Sequence, residues 1–278
     1  MSVTVMLGGP ADEIAPAIET AINLTKRLKT ELFGVCALPD PSRSVVYITG
    51  AETVVLGGEA IESLRQAQDK LAADLSQCFE RQVQSAGSWL HAYFKRETGS
   101  GAWHGAAAAT LADALVLPHA STDSGHSLNE VFEHVLMEAR LPLVLAPKKP
   151  KSSDTCLIAW DGSPISARAV RMHMPLIRTY KKVIIAHNAE KVRHQWDQVC
   201  GDTLNRLTDW LQAERLEVKH VELEGPVSDG VLEAAGAHDA SLIVMGAYGH
   251  SRLGQMLFGG TTSKILHHDD APALALCH

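Results

Sequence analysis

Two segments of this chain occur twice, in the same order, and this duplication constrains its fold more than any other feature. Asp113-Ala-Leu-Val-Leu117 is matched by Asp239-Ala-Ser-Leu-Ile-Val244, and Leu141-Pro-Leu-Val-Leu-Ala146 by Ala271-Pro-Ala-Leu-Ala-Leu276. The starts of the halves correspond as well. Val3-Thr-Val-Met-Leu7 leads into Gly8-Gly9-Pro10, and Cys156-Leu-Ile-Ala-Trp160 leads into Asp161-Gly162-Ser163-Pro164. A strand, turn and helix plan repeated along a chain reads as a tandem duplication. Pro147-Lys-Lys-Pro-Lys-Ser-Ser-Asp154 lies between the halves, polar and with two prolines, as suits an exposed connector. The domains expected are therefore residues 1–147 and 153–278.

Within each half, short apolar runs alternate with helical stretches, which predicts an α/β fold with a parallel sheet and right-handed crossovers. Five strands per half are expected. In the second half they are Cys156 to Trp160, Val183 to His187, Val218 to Leu223, Ser241 to Met245 and Ala273 to Leu276. One helix is expected from Ser163 to about Tyr180. Another runs from about Val192 to Ala213, where Val199, Thr203, Leu207, Trp210 and Leu211 keep helical spacing. Ile61, Leu64, Leu71, Leu75, Cys78 and Phe79 mark a long helix in the first half, an apolar stripe that reads as core. The loop from Pro39 to Gly58 has no counterpart in the second half. Its apolar patches, Val45 to Ile48 and Val54 to Leu56, suggest a cover over the neighbouring cleft or a dimer contact.

Composition narrows the classes. With 278 residues, 46% of them hydrophobic, the chain can bury a sizeable core without staples. No apolar run approaches a membrane span, and the start reads as a strand rather than a charged leader, so a cytoplasmic location is expected. A formal charge of −7 argues against nucleic acid as a partner. Cys36, Cys78, Cys156, Cys200 and Cys277 are scattered, without a C-x-x-C pair, and read as buried thiols in a reducing compartment. His267-His268-Asp269-Asp270 invites a metal reading, but adjacent residues at a helix end point apart, and histidines there suit the helix dipole.

The candidate site follows the strand Ser241 to Met245. Gly246-Ala-Tyr248-Gly249 and, further on, Gly259-Gly260-Thr261-Thr262-Ser263 place glycines at fixed distances between a strand and a helix start. Glycines let main-chain amides approach a ligand, and the unpaired N–H groups of a helix start favour an anion, so the stretch reads as a phosphate cradle. A tight turn is the bland alternative. Asp161, after the first strand of the half, would lie beside this loop at the carboxyl ends of neighbouring strands, where open parallel sheets bind ligands. Asp161 and Ser163 would equally serve as helix caps.

The spacing of Gly246, Gly249 and Gly259 resembles the universal stress protein family, whose nucleotide-binding members carry G-x2-G-x9-G followed by serine or threonine at the end of the fourth strand. Gly260 stands where those members carry the hydroxyl residue, and Thr261 comes one place late. The resemblance implies two tandem, doubly wound five-stranded domains of the adenine-nucleotide alpha hydrolase-like fold. It implies ATP or AMP as ligand, with Mg accompanying ATP, and a regulatory role in stress. It also implies that Asp161 faces the ribose or a phosphate-bound cation, that His187-Asn188 borders the adenine, and that Met245 and Tyr248 lie near the sugar. In family members the fifth strand pairs across a dimer axis. Leu143 to Ala146 and Ala273 to Leu276 could pair that way within one chain, an intramolecular pseudo-dimer that hides two sheet edges. Association of two such chains stays open.

The first half departs from this pattern. Asp113 to Pro142 spans 29 positions against 33 from Asp239 to Pro272, and His119-Ala-Ser-Thr-Asp-Ser-Gly125-His-Ser-Leu carries one glycine. Gly8 stands in the place of Asp161. A degenerate nucleotide loop is expected there, with a different ligand as the alternative. There is no Walker lysine, paired acidic cage or nucleophile with a base at telling spacing, so no catalytic residue is assigned. His250, Arg252 and Lys264 flank the loop, as phosphate contacts or as solvated residues. Three functions follow: a nucleotide-binding regulator acting on a protein partner, a scaffold working through protein contacts or a first-half ligand, and a slow ATPase.

Overall fold

The structure is a computed structural model and describes residues 2–43, 45–47, 53–55, 58–188, 202–247 and 260–278. In chain order the first half supplies β1 (Ser2–Met6), α1 (Ala11–Leu28), β2 (Glu31–Leu38), β3 (Val45–Tyr47), β4 (Thr53–Val55), α2 (Gly58–Ala86), β5 (Ala92–Thr98), α3 (Gly101–Ala109), β6 (Ala114–Leu117), α4 (Asn129–Glu133, continued by a π turn over His134–Ala139) and β7 (Leu143–Leu145). The second half supplies β8 (Thr155–Trp160), α5 (Pro164–Met172), α6 (Met174–Ile177), β9 (Lys182–His187), α7 (Thr203–Ala213), β10 (Glu217–Glu222), α8 (Val227–Ala237), β11 (Leu242–Gly246), α9 (Gly260–Leu266) and β12 (Ala273–Cys277).

Ten strands form a single sheet in the order β10-β9-β8-β11-β12-β7-β6-β1-β2-β5. Read outward from the middle, each half runs fifth, fourth, first, second, third. Every neighbouring pair is parallel except β7 and β12, which are antiparallel with Leu145 opposite Leu274, Val144 opposite Ala275 and Leu143 opposite Leu276. The pairing expected between the two final strands is thus the seam that turns two five-stranded sheets into one. All six of these side chains are buried, which leaves no apolar strand edge at the middle of the molecule. The outer edges, β5 and β10, carry Lys95, Arg96, Glu97, Glu217, Lys219 and Glu222, charges that discourage further pairing.

Strand side chains alternate between two apolar layers, as a sheet covered on both faces requires. On β11, Leu242 and Val244 join the layer that contains Ile18, Phe79, Val170 and Leu211. Ile243 and Met245 join the opposite layer, with Phe132, Val231 and Ile265. Helices α1, α2, α5 and α7 therefore cover one face, and α3, α4, α8 and α9 the other. Among the described residues, no helix is long and apolar enough to cross a membrane.

Three details refine the sequence reading. The helix expected from Ser163 to Tyr180 is broken at His173, because Pro175 has no N–H for the carbonyl of Arg171 and its ring crowds that turn. The apolar patches of the loop after β2 pair with each other, as a two-stranded antiparallel hairpin with Val46 opposite Val54. The helix expected from Val192 is described from Thr203 onward; its first part lies outside the described residues.

Away from the sheet, Arg27 of α1 reaches into the second half. Its guanidinium donates to Thr179 O at 3.4 Å and Ser152 Oγ at 3.3 Å, and lies 4.3 Å from the centre of the Tyr180 ring. Lys148 with Asp269 at 2.6 Å and Lys151 with Asp239 at 3.5 Å add exposed pairs, weak because solvent screens them. The stacked guanidinium over a buried ring is the stronger tie of the two kinds.

Candidate functional site

The carboxyl ends of β8, β9 and β11 lie side by side, with Ala159 opposite both Met245 and Ala186. Chain leaves β8 through Asp161, Gly162 and Ser163. Asp161 is exposed, and its Oδ1 accepts the N–H of Ser163 at 2.9 Å. Gly162 has φ +74°, which a residue with a Cβ adopts only at a cost. Ser163 is the N-cap of α5, its Oγ accepting the N–H of Ser166 at 3.2 Å, an arrangement typically worth about 1 kcal/mol. The capping role foreseen for Asp161 and Ser163 is thus realised. The second carboxylate oxygen of Asp161 has no bond among the described residues.

Gly246, the last residue of β11, is held by packing. A Cβ on it would stand 2.8 Å from Ile165 Cγ2, 3.1 Å from the Ser166 nitrogen and 3.2 Å from the Ile165 carbonyl carbon. The first turn of α5 therefore rests directly on the end of β11, and the absence of a side chain lets the two candidate segments meet. Beyond it, the N–H of Ala247 donates to Cys277 O at 2.7 Å, which fixes the direction in which the chain leaves the sheet.

Met245 is 4% exposed and belongs to the apolar layer shared with Ile265 and Leu276. Asn188 is half-buried; its Nδ2 donates to Leu223 O at 3.1 Å and ties the end of β9 to that of β10. Beside it, the His187 ring meets that of His220 edge-on, centroids 6.1 Å apart. Burial and then the facing His220 hold the His187 imidazole below its ordinary pKa, so it is a neutral ring at physiological pH.

Helix α9 opens at Gly260. Gly260 and Thr261 are exposed, and Thr262 is buried. A Cβ on Gly260 would meet nothing within 4 Å among the described residues, so their packing does not require glycine there. Tyr248, Gly249, His250, Arg252 and Gly259 lie outside the described residues. After α9, His267 Nδ1 lies 2.8 Å from Ser263 O, His268 Nδ1 accepts the N–H of Asp270 at 3.3 Å, and Asp269 pairs with Lys148. The Asp270 carboxylate lies 3.9 Å from Lys149 Nζ, so the four side chains do not converge on one point. Among the described residues no three His, Cys, Asp or Glu side chains are grouped as metal ligands.

The corresponding place in the first half is filled by the chain itself. A Cβ on Gly8 would stand 3.1 Å from Leu128 and 3.2 Å from Ser127 Oγ, and one on Gly9, where φ is +94°, 2.7 Å from His126 Nε2. His126 Nδ1 accepts the N–H of Leu128 at 3.1 Å, which leaves Nε2 as the protonated nitrogen, 3.1 Å from Glu13 Oε2. The loop from His119 to Leu128 thus lies on the Gly8–Gly9 turn. His126 and Glu13 were not singled out in the sequence; the one available signal was the replacement of an aspartate by paired glycines at the end of β1.

Residues 153–276 match the profile of the universal stress protein family. No curated protein matches the chain by sequence. Among solved structures, a universal stress protein from Archaeoglobus fulgidus DSM 4304 is similar over 99% of this chain and 97% of its own, with 15% identity and a TM-score of 0.68. A functionally unknown protein from Pseudomonas aeruginosa PAO1 is similar over 99% of this chain and 92% of its own, with 12% identity and a TM-score of 0.50. At these identities the likeness is one of fold: a mostly parallel sheet between helical layers.

Proposed function

We propose, for a chain whose residues 153–276 match the universal stress protein family, a stress-response regulator that holds an adenine nucleotide, ATP or AMP, in its second half. The observation that supports this reading is the asymmetry between two ends of one sheet. After β8 the chain presents an exposed aspartate, and the sequence between β11 and α9 carries the glycine spacing. After β1 and β6 the equivalent space is taken by His126, Ser127 and Leu128. The second half carries an exposed aspartate and a glycine-spaced sequence at this end of the sheet, and the first has closed over its own turn. In this reading residues 1–147 and 153–278 are tandem copies of one domain, and the first has become a structural partner joined through the seam.

Asp161 would accept from the ribose hydroxyls or face a phosphate-bound Mg, and the amides of the glycine segment with Thr261 would bind phosphate. Bound nucleotide would order this segment and change the surface offered to a protein partner. Gly260 supplies the test. Because no described residue packs against it, serine fits there, and its hydroxyl would add a donor at the helix start, where phosphate is favoured. Gly260→Ser is expected to tighten ATP binding by about three- to tenfold, the net contribution of one added hydrogen bond of ordinary strength at a solvent-facing position. Asp161→Ala is expected to weaken it about tenfold or more. Calorimetric titration of ATP into the three proteins measures both. Equal affinities for all three would remove the nucleotide from this site.

A further inference from the structure

A cavity of about 540 Å³ opens on the α5 and α7 face of the sheet, within the size range of about 300–1,000 Å³ usual for small-molecule sites. Its walls are Trp160 at the end of β8, Val170 on α5, and Leu207 and Trp210 on α7, with Arg171 and Arg206 contributing from the two helices. Trp160, Val170 and Leu207 are buried, and Trp210 is half-buried. Of the described candidate nucleotide-site residues, Ser163 lines it through the 162–164 turn, whereas Asp161, Asn188, Met245, Gly246, Gly260, Thr261 and Thr262 do not, so the two regions adjoin at that turn and are otherwise distinct.

Its chemistry is unusual for this molecule. The chain has a net charge of −7, yet the described lining residues include two arginines and no acidic side chain. Two indoles supply flat apolar walls of the kind that accept a ring system, and a guanidinium offers a planar fork that fits a carboxylate. We propose that this cavity binds an aromatic carboxylate, its ring between Trp160 and Trp210 and its anionic group on Arg171.

The test uses 2-naphthoate as probe and 2-naphthalenemethanol as its uncharged counterpart, followed by calorimetry and by quenching of tryptophan fluorescence. Naphthoate is expected to saturate one site per chain, and the alcohol to bind about tenfold more weakly, the fold-change of one charge-assisted contact. Arg171 is exposed, so Arg171→Gln leaves the fold intact, and it should bring the two probes to similar affinity. Ala167→Trp, from the same wall, should block the site. If that variant does not fold, the Arg171→Gln comparison decides alone. ATP at saturating concentration should not displace naphthoate. No saturable binding, equal affinity for both probes on the unaltered protein, indifference to Arg171→Gln, or displacement by ATP would each overturn the proposal.

Discussion

Replacing Gly246 by alanine will destabilise the protein by about 1–3 kcal/mol, the usual cost of forcing an extra group into a packed interior. The methyl group would stand 2.8 Å from Ile165 Cγ2, which could swing aside, but also 3.1 Å and 3.2 Å from backbone atoms of Ser166 and Ile165, which could not. Relief requires the first turn of α5 to lift from the end of β11. That turn carries the Ser163 cap, so strain at one glycine spreads to the loop that presents Asp161. Urea unfolding of the Gly246→Ala protein measures the loss. An unchanged midpoint would mean that α5 sits further from β11 than described, and that glycine is kept at this position for the ligand alone.

The second large effect is a dependence on acid that originates at His173. This side chain is fully buried beneath the seam, its Nε2 3.0 Å from Leu276 O and its Nδ1 without a partner. The ring is therefore neutral with the proton on Nε2, because a second proton on Nδ1 would be a buried charge facing no acceptor. Burial holds its pKa at about 4 against an ordinary 6.5, and the bond to Leu276 offsets only part of that shift. Above pH 6.5 neither the folded nor the unfolded chain protonates this residue, and it imposes no pH dependence. Between about 6.5 and 4 only the unfolded chain takes the proton, so stability falls as the pH falls; below about 4 both do, and the loss levels off. The full difference is worth about 3 kcal/mol. His173→Gln retains a donor for Leu276 O but does not titrate. Between pH 7 and pH 4 it should lose about 3 kcal/mol less unfolding free energy than the unaltered protein. Equal losses would place the acid sensitivity in other groups.

These two residues also mark how far the sequence could be read. The strands that frame the site were legible because β8 and β11 are short apolar runs bounded by turns, a pattern that follows from burial on both faces. A difference between the halves was legible too, since the sequence after β6 has one glycine where the sequence after β11 has several. The reason for Gly246 was not. A glycine that admits a phosphate and a glycine that admits a helix look alike in sequence, and only the 2.8 Å approach of Ile165 reveals the second role. His173 was hidden inside a helix expected to run to Tyr180. Its burial depends on the break at Pro175 and on β12, about a hundred residues away in the chain. The plug of His126 against Gly9 and Glu13 likewise depends on how a loop folds back over a distant turn, which periodicity does not encode.

The central claim is that the second half of this chain carries an adenine nucleotide and the first does not. Mass spectrometry of the small molecules released when freshly purified protein is denatured tests it most directly, alongside a Gly249→Val, Gly259→Val double variant. One adenine nucleotide per chain from the unaltered protein, and none from the variant, is the result predicted. If neither sample releases nucleotide and added ATP gives no heat of binding, or if two nucleotides leave each chain, the claim is contradicted.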